Sequence, residues 1–199
     1  MKKIILLILL FSSILTYSQE KFDSYNSSYF KKDFPILIAE KNDKSIQFYI
    51  DVNSMDKSSK TAMLVLDSKS IDEFKTMVLS LKDIYIKWKK TAVDNKVTEL
   101  DKAVEDKRIS VTSAFNYGKW NFDFSTQLTA KFKIINNIPL MIIESDGLES
   151  SSNKFIKSDG FVIVFALDNE FDALVSKIDL TKANDYFAKK SGKEDLFKN

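Results

Sequence analysis

The chain has 199 residues, contains neither histidine nor cysteine, and carries a formal net charge of +2. The missing residue types exclude histidine-dependent catalytic triads, cysteine–histidine pairs, structural zinc sites and disulfides. The four glycines are too few and too scattered for a phosphate-binding loop.

The N-terminus has the composition of a bacterial secretory signal peptide. Lys2 and Lys3 precede eight apolar residues (4–11) and a short polar segment (12–18) that ends in a small residue. The apolar run is far shorter than the ~20 residues that cross a bilayer. We therefore predict that residues 1–18 are removed on export, that the protein lies in the periplasm or outside the cell, and that no membrane span remains.

Signal removal also changes the charge of the chain. Taking two lysines from the 30 basic residues leaves 28, which equals the 28 acidic residues. Proteins that hold nucleic acid mainly through charge have a basic excess. The predicted mature chain has no such excess, so its overall charge does not favour binding to nucleic acid.

Two patterns of apolar residues predict the first elements. Residues 46–52 alternate between apolar and polar, which indicates a strand with one buried face, and 63–66 form a fully apolar strand. Apolar residues at spacings of three and four over 71–92 predict a long amphipathic helix. Ser70, with Glu73 three residues later, predicts a capping box at its start.

The apolar stripe of this helix has two interpretations. A narrow heptad seam would contact a partner helix, whereas a broader face would lie across a sheet. Met77 and Ile84 widen the stripe, which favours the sheet. Trp88 is next to lysines and could stack on a ligand, but its place on the stripe predicts burial.

A block of strands with short connections follows, which is typical of an antiparallel meander. Strands are predicted at 109–115, 120–124, 128–134, 140–144 and 161–167. Their alternation places Trp120 on an inward face, although stacking on a ligand is the alternative. A second helix is predicted after Asp168, with a break near Asp179.

Together these elements predict an α+β fold with an antiparallel sheet of about seven or eight strands and two amphipathic helices packed on one face. Residues 19–199 are expected to form a single domain. Strands followed by a helix occur in both 34–92 and 109–188. This order indicates either two duplicated halves or a chance similarity of common units.

The run Phe48-Tyr49-Ile50-Asp51-Val52, followed by a strand and a helix with an acidic start, resembles the repeats of the PUR family of single-stranded nucleic-acid-binding proteins. That resemblance implies a sheet that binds nucleic acid. The glycine- and arginine-rich strand segments of the family are missing, and the second half of the chain has no comparable run. The resemblance therefore identifies no family.

Carboxylates and oxygen-ligated metals are the chemistry that the composition leaves open. One loop could offer oxygen ligands to calcium through Glu144, Asp146, Glu149 and Asn153, although EF-hand spacing is missing. The sequence therefore assigns no catalytic, cofactor-binding or metal-binding residue. Ligand-binding residues stay unknown, and no cofactor is predicted.

The leading functional hypothesis is a non-catalytic binding or interaction module with a protein or small-molecule partner outside the cytoplasm. An exposed apolar patch would support it. One alternative is a carboxylate-dependent hydrolase, which requires two cleft acids with shifted pKa values. The other is a nucleic-acid binder, which requires lysines on an open sheet face.

Overall fold

The structure, a computed structural model, describes residues 19–57 and 61–195. Its strands are β1 (Glu20–Ser27), β2 (Lys32–Glu40), β3 (Ile46–Ser54), β4 (Ala62–Leu66), β5 (Leu100–Ala103), β6 (Ile109–Tyr117), β7 (Lys119–Ile135), β8 (Ile138–Ser145), β9 (Leu148–Ser150), β10 (Asn153–Ser158) and β11 (Phe161–Phe165). Its helices are α1 (Ser70–Asp94), α2 (Asp168–Lys177) and α3 (Leu180–Asp195). The predicted signal peptide lies outside the described residues.

The main sheet is antiparallel and closes on itself. Its hydrogen-bonded order is β1-β2-β3-β11-β8-β7-β6-β4, with β5 beside β7. Because β4 also pairs with β3, the six strands from β3 round to β4 form a barrel. The closure between β3 and β11 consists of two residue pairs, Ser54 with Phe161 and Asn53 with Val162. β9 and β10 form a separate hairpin.

The α+β class is confirmed, but the predicted sheet of seven or eight strands is wrong in strand count and in shape, since nine strands form a sheet that contains a barrel. The missed strands lack a readable pattern: β1 is mostly polar, the four residues of β5 are all exposed, and β9 has three residues. The barrel closure joins opposite halves of the chain, for which no local pattern exists.

Alternate residues of the barrel strands point toward the helices and form the core. Phe48, Phe115, Phe132 and Phe161 are fully buried, and side chains of all three helices belong to the same hydrophobic cluster. We call this side of the sheet the helix-bearing face and the other side the opposite face. α1 lies across the sheet, as the breadth of its apolar stripe predicts.

Two aromatic residues of α1 connect the helix to the sheet. The fully buried Tyr85 donates a hydrogen bond from its hydroxyl to the carbonyl oxygens of Ala166 (2.6 Å) and Pro139 (3.3 Å). Burial raises the pKa of this hydroxyl. Trp88 is partly buried against the core, with its ring edge-to-face to that of Phe132 at 5.7 Å. The predicted inward position of Trp88 is therefore confirmed.

The capping box of α1 is not where the sequence predicts it. Asp67 Oδ1 accepts hydrogen bonds from the backbone N–H groups of Lys69 (3.1 Å) and Ser70 (3.0 Å), and the Asp67 N–H donates to Ser70 Oγ (2.9 Å). The Asp67 carbonyl accepts the first helical bond from Ile71. The reciprocal pair is therefore Asp67 with Ser70 rather than Ser70 with Glu73.

The second predicted helix is divided into α2 and α3, in agreement with the predicted break near Asp179. Glu170, in the first turn of α2, accepts hydrogen bonds from the backbone N–H groups of Ala166 (2.6 Å), Leu167 (2.9 Å) and Ser28 (2.7 Å). This carboxylate ties the start of α2 to the β1–β2 connection. Among the described helices, none is both long enough and apolar enough to span a membrane.

Candidate functional site

A β-bulge changes the direction of the side chains in β7. Val111 of β6 pairs with Thr126, whereas Ser113 pairs with Asp123. β7 therefore has one residue more than β6 in this interval. Because side chains alternate along a strand, the extra residue reverses which positions face the helices.

The reversal turns an aromatic row outward. Trp120 is 41% exposed and Phe124 is 67% exposed, and the rings of Phe122 and Phe124 are stacked with centroids 6.3 Å apart. Asn121 and Asp123 take the buried positions between them. The predicted inward position of Trp120 is therefore wrong, because the row before the bulge has the opposite orientation to the row after it.

Apolar residues of neighbouring strands extend this row across the opposite face. Met63 pairs with Ala114, which pairs with Phe122 on its other side, and Leu37 pairs with Tyr49. Leu37, Met63 and Phe122 are partly buried and pack against one small hydrophobic cluster. The members of the resulting surface, which we call the apolar strip, are Leu37, Met63, Trp120, Phe122 and Phe124.

The apolar strip has a charged neighbour in Asp51, which pairs with Met63. The Asp51 side chain is 16% exposed, and one of its oxygens lies 3.8 Å from Lys32 Nζ. Burial raises the pKa of Asp51, and the charge of Lys32 opposes that shift only in part. Asn116, which pairs with Trp120, is uncharged. The strip is thus apolar with a partly buried acid and a neutral polar residue at its border.

The lysines of β7 on the opposite face are neutralised by acids. Lys131 Nζ lies 2.6 Å from a carboxylate oxygen of Glu144, and Lys133 Nζ lies 2.8 Å from one of Asp101. The hydrogen bond from Lys133 holds the pKa of Asp101 below its usual range. These two lysines do not supply the unpaired positive charge that a nucleic-acid-binding sheet uses.

Buried polar side chains occur on β6, on β7, at the end of β8 and on the β9–β10 hairpin. Of the eight buried polar residues in the described part of the chain, seven belong to this group. They are Ser113, Asn121, Asp123, Thr126, Ser145, Ser150 and Ser158, which we call the polar cluster.

Asp123 joins the polar cluster to the β9–β10 hairpin. Its Oδ2 accepts a hydrogen bond from the backbone N–H of Glu149 (2.9 Å), and its Oδ1 accepts one from that of Ser125 (2.9 Å). The Ser150 hydroxyl donates to Asn121 Oδ1 (3.1 Å). The inward positions before the bulge therefore bind the hairpin instead of filling an apolar core.

A charged groove of about 790 Å³ lies between the loop before β6 and strands β7 and β8. Five acids and three bases line it, including Glu144 and Lys131, which pair with each other. Asp101 also lines the groove, and its pKa is lowered. A general acid needs a raised pKa, so Asp101 does not fit that role.

The calcium interpretation of the loop has little support. Glu144 pairs with Lys131, and Glu149 pairs with Lys157 at 2.8 Å. In residues 19–57 and 61–195, no group of three or more acidic side chains is arranged to hold a metal ion. The two paired acids already have cationic partners.

Sequence reasoning missed both the apolar strip and the polar cluster, and one feature explains both. The bulge lies at Phe124 and Ser125, residue types that also occur in regular strands. An uninterrupted reading of the alternation from 120 to 134 gives the first half of β7 the wrong orientation. The one sign of the reversal in the sequence is that Asn121 and Asp123, which the structure buries, are polar.

Comparison with known proteins adds no family to this description. The chain matches no protein-family model, no curated protein and no solved structure.

Proposed function

We propose that this chain is an exported, non-catalytic interaction module that binds a protein partner, in the periplasm or outside the cell, through the apolar strip. The observation that carries the proposal is the orientation of β7 before the bulge. There the strand exposes Trp120 and Phe124 and buries Asn121 and Asp123. The hydrophobic effect favours the opposite orientation, in which the aromatic side chains are buried and the polar side chains are exposed.

The exposed orientation has a cost that folding does not recover. Fully burying a phenylalanine side chain contributes roughly 1.5–3 kcal/mol relative to leaving it exposed. Phe124 gives up most of that contribution, since 67% of it is exposed. A partner that covers the strip would recover it on binding.

The composition of the strip fits the centre of a protein interface. Such centres are enriched in aromatic residues and methionine and depleted in charge. Trp120, Phe122, Phe124 and Met63 belong to the enriched types, and Asp51 is a charged residue at the border. Carboxylate hydrolysis and nucleic-acid binding have no comparable observation in their favour.

Site-specific photo-crosslinking tests the proposal. A benzoylphenylalanine would replace Phe124 in cells that produce and export the full chain. Val93 provides a matched control, because it is 69% exposed but lies at the end of α1. We expect a covalent adduct of defined mass from position 124 and none from position 93.

The mass of the adduct identifies the kind of partner. An adduct with twice the mass of the chain would show that the partner is a second copy. The same adducts from both positions, or none from position 124, would contradict the proposal.

A further inference from the structure

One charged side chain lies within the part of the sheet that carries the apolar strip. Ile50 and Val52 of β3 are buried in the main core, so Asp51 between them points to the opposite face. The other residues that point to the opposite face from β3, β4, β6 and β7 before the bulge are all uncharged. Asp51 is therefore the single charged side chain on the opposite face of these four strands.

The immediate neighbours of Asp51 on this face belong to the apolar strip or lie beside it. Asp51 pairs with Met63, and Tyr49, two residues earlier on β3, pairs with Leu37. Only 16% of the Asp51 side chain is exposed. A partner that covers the strip at Met63 would therefore remove the remaining exposure of this carboxylate as well.

The rest of the protein compensates the charge of Asp51 only in part. Lys32 Nζ lies 3.8 Å from one carboxylate oxygen, which is longer than a hydrogen bond, and the Lys32 side chain is 54% exposed. Lys32 Nζ also lies 4.4 Å from the centre of the Phe34 ring. Burial raises the pKa of Asp51, although the Lys32 charge and a hydrogen bond from the Val52 N–H both favour the ionised form.

This environment restricts which partner can cover the strip. Burying an ionised carboxylate is unfavourable unless a cationic or hydrogen-bonding group faces it. A purely apolar partner would bury the charge of Asp51 without compensation, and an acidic partner would add repulsion. A partner with a cationic side chain at this point would instead gain a charge-assisted hydrogen bond. One acid at the border thus discriminates among partners that are all apolar elsewhere.

We propose that the apolar strip recognises a protein segment in which a lysine or arginine stands beside apolar side chains, and that Asp51 binds this cation. The inference rests on the proposed function and names the chemistry of the partner. The apolar residues of the strip provide the contact area, and Asp51 provides the selection.

The test combines the photo-crosslinker at position 124 with a second substitution. Asp51→Asn removes the charge and keeps the size of the side chain, and Asp51→Lys reverses the charge. Asp185→Asn and Asp185→Lys are the matched controls, because Asp185 is exposed on α3 and gives the same changes in net charge. The measured quantity is the amount of adduct relative to the amount of exported chain.

We expect the adduct yield to fall roughly threefold or more in Asp51→Asn and roughly tenfold or more in Asp51→Lys, because each substitution leaves the partner's cation without its acid. The two Asp185 variants should give the yield of the parent chain. Circular dichroism of the purified Asp51→Asn variant checks that it folds, and this variant alone decides the test if Asp51→Lys does not fold.

Two results would overturn this inference while leaving the proposed function intact. A yield from Asp51→Asn equal to or above that of the parent chain would mean that the partner presents no cation to Asp51. Equal losses in the Asp51 and Asp185 variants would mean that net charge, and not this position, controls binding. The absence of any adduct from position 124 in the parent chain would contradict the proposed function itself, and this inference with it.

Discussion

Asp123 shows how one residue can replace an apolar contact with polar ones. Its carboxylate, on a residue that is 8% exposed, holds the backbone of the hairpin through Glu149 and the backbone of the bulge through Ser125. The bulge and the hairpin therefore depend on the same side chain. This dependence gives a direct stability prediction.

Asp123→Ala should lower the free energy of unfolding by about 1–3 kcal/mol, because it removes a carboxylate that accepts two part-buried hydrogen bonds from the backbone N–H groups of Ser125 and Glu149. Denaturant unfolding followed by circular dichroism measures the change. Asp159→Ala is a suitable control, since Asp159 is exposed in the loop between β10 and β11. A loss no larger than that of the control would show that the carboxylate does not hold the hairpin.

Asp51 gives a pH-dependent prediction at the same scale. Burial raises its pKa above the ordinary value of 3.8, so the folded state binds this proton more tightly than the unfolded state does. The contribution of Asp51 to stability is therefore present at low pH and is lost as pH rises through the raised pKa. The substitution Asp51→Asn removes the titrating carboxyl group, and with it this loss of stability at higher pH.

The free energy of unfolding of Asp51→Asn, relative to that of the parent chain, should therefore rise between about pH 3 and about pH 7. Denaturant unfolding of both proteins at these two pH values measures the change. The free energy of unfolding of Asp43→Asn, relative to that of the parent chain, should fall over the same pH range. The hydrogen bonds from Ser45 lower the pKa of Asp43, so its contribution is present at higher pH and lost on acidification. Parallel trends in the two variants would contradict the account.

Elements that have a strong local pattern were predictable, and β7 shows why others were not. The periodic stripe of α1 and the alternation of β3 record the core directly. In β7 the alternation is equally clear, but a single extra residue separates two rows with opposite orientations. Alternation shows that every second residue of a strand lies on the same face of the sheet. It shows which face that is only when the pairing register of the strand is known.

The start of α1 was predicted within three residues but with the wrong cap. Both Asp67 and Ser70 are good N-cap residues, and Glu73 made the later box look complete. Asp67→Ala should cost about 1 kcal/mol, whereas Glu73→Ala should have little effect. Thermal unfolding of the two variants distinguishes them, and a greater loss for Glu73→Ala would support the later box.

The whole molecule depends on a closure that few residues make. Besides the two pairs between β3 and β11, the Met55 N–H donates to the Gly160 carbonyl (2.9 Å). Gly160 therefore lies where the barrel closes and where the hairpin stem returns. The closure itself could not be predicted from the sequence, because it depends on the accumulated twist and register of all the strands of the barrel.

Gly160→Ala should destabilise the barrel by about 1–3 kcal/mol, since the positive φ and the close approach of Ser145 both oppose a Cβ. Gly192→Ala is the matched substitution in α3, where a Cβ meets nothing within 4 Å. It should stabilise the chain by roughly 0.5–1 kcal/mol. Calorimetric unfolding of both variants gives the comparison, and equal effects would contradict the described closure.

The orientation of β7 before the bulge requires that Phe124 faces outward and contributes little to the core. The most direct measurement is the free energy of unfolding of Phe124→Ser beside that of Phe132→Ser, since Phe132 is fully buried on the same strand beyond the bulge. We expect a change within about 0.5 kcal/mol for Phe124→Ser and a loss of at least about 3 kcal/mol for Phe132→Ser. A loss at position 124 as large as that at position 132 would place Phe124 in the core and contradict the account.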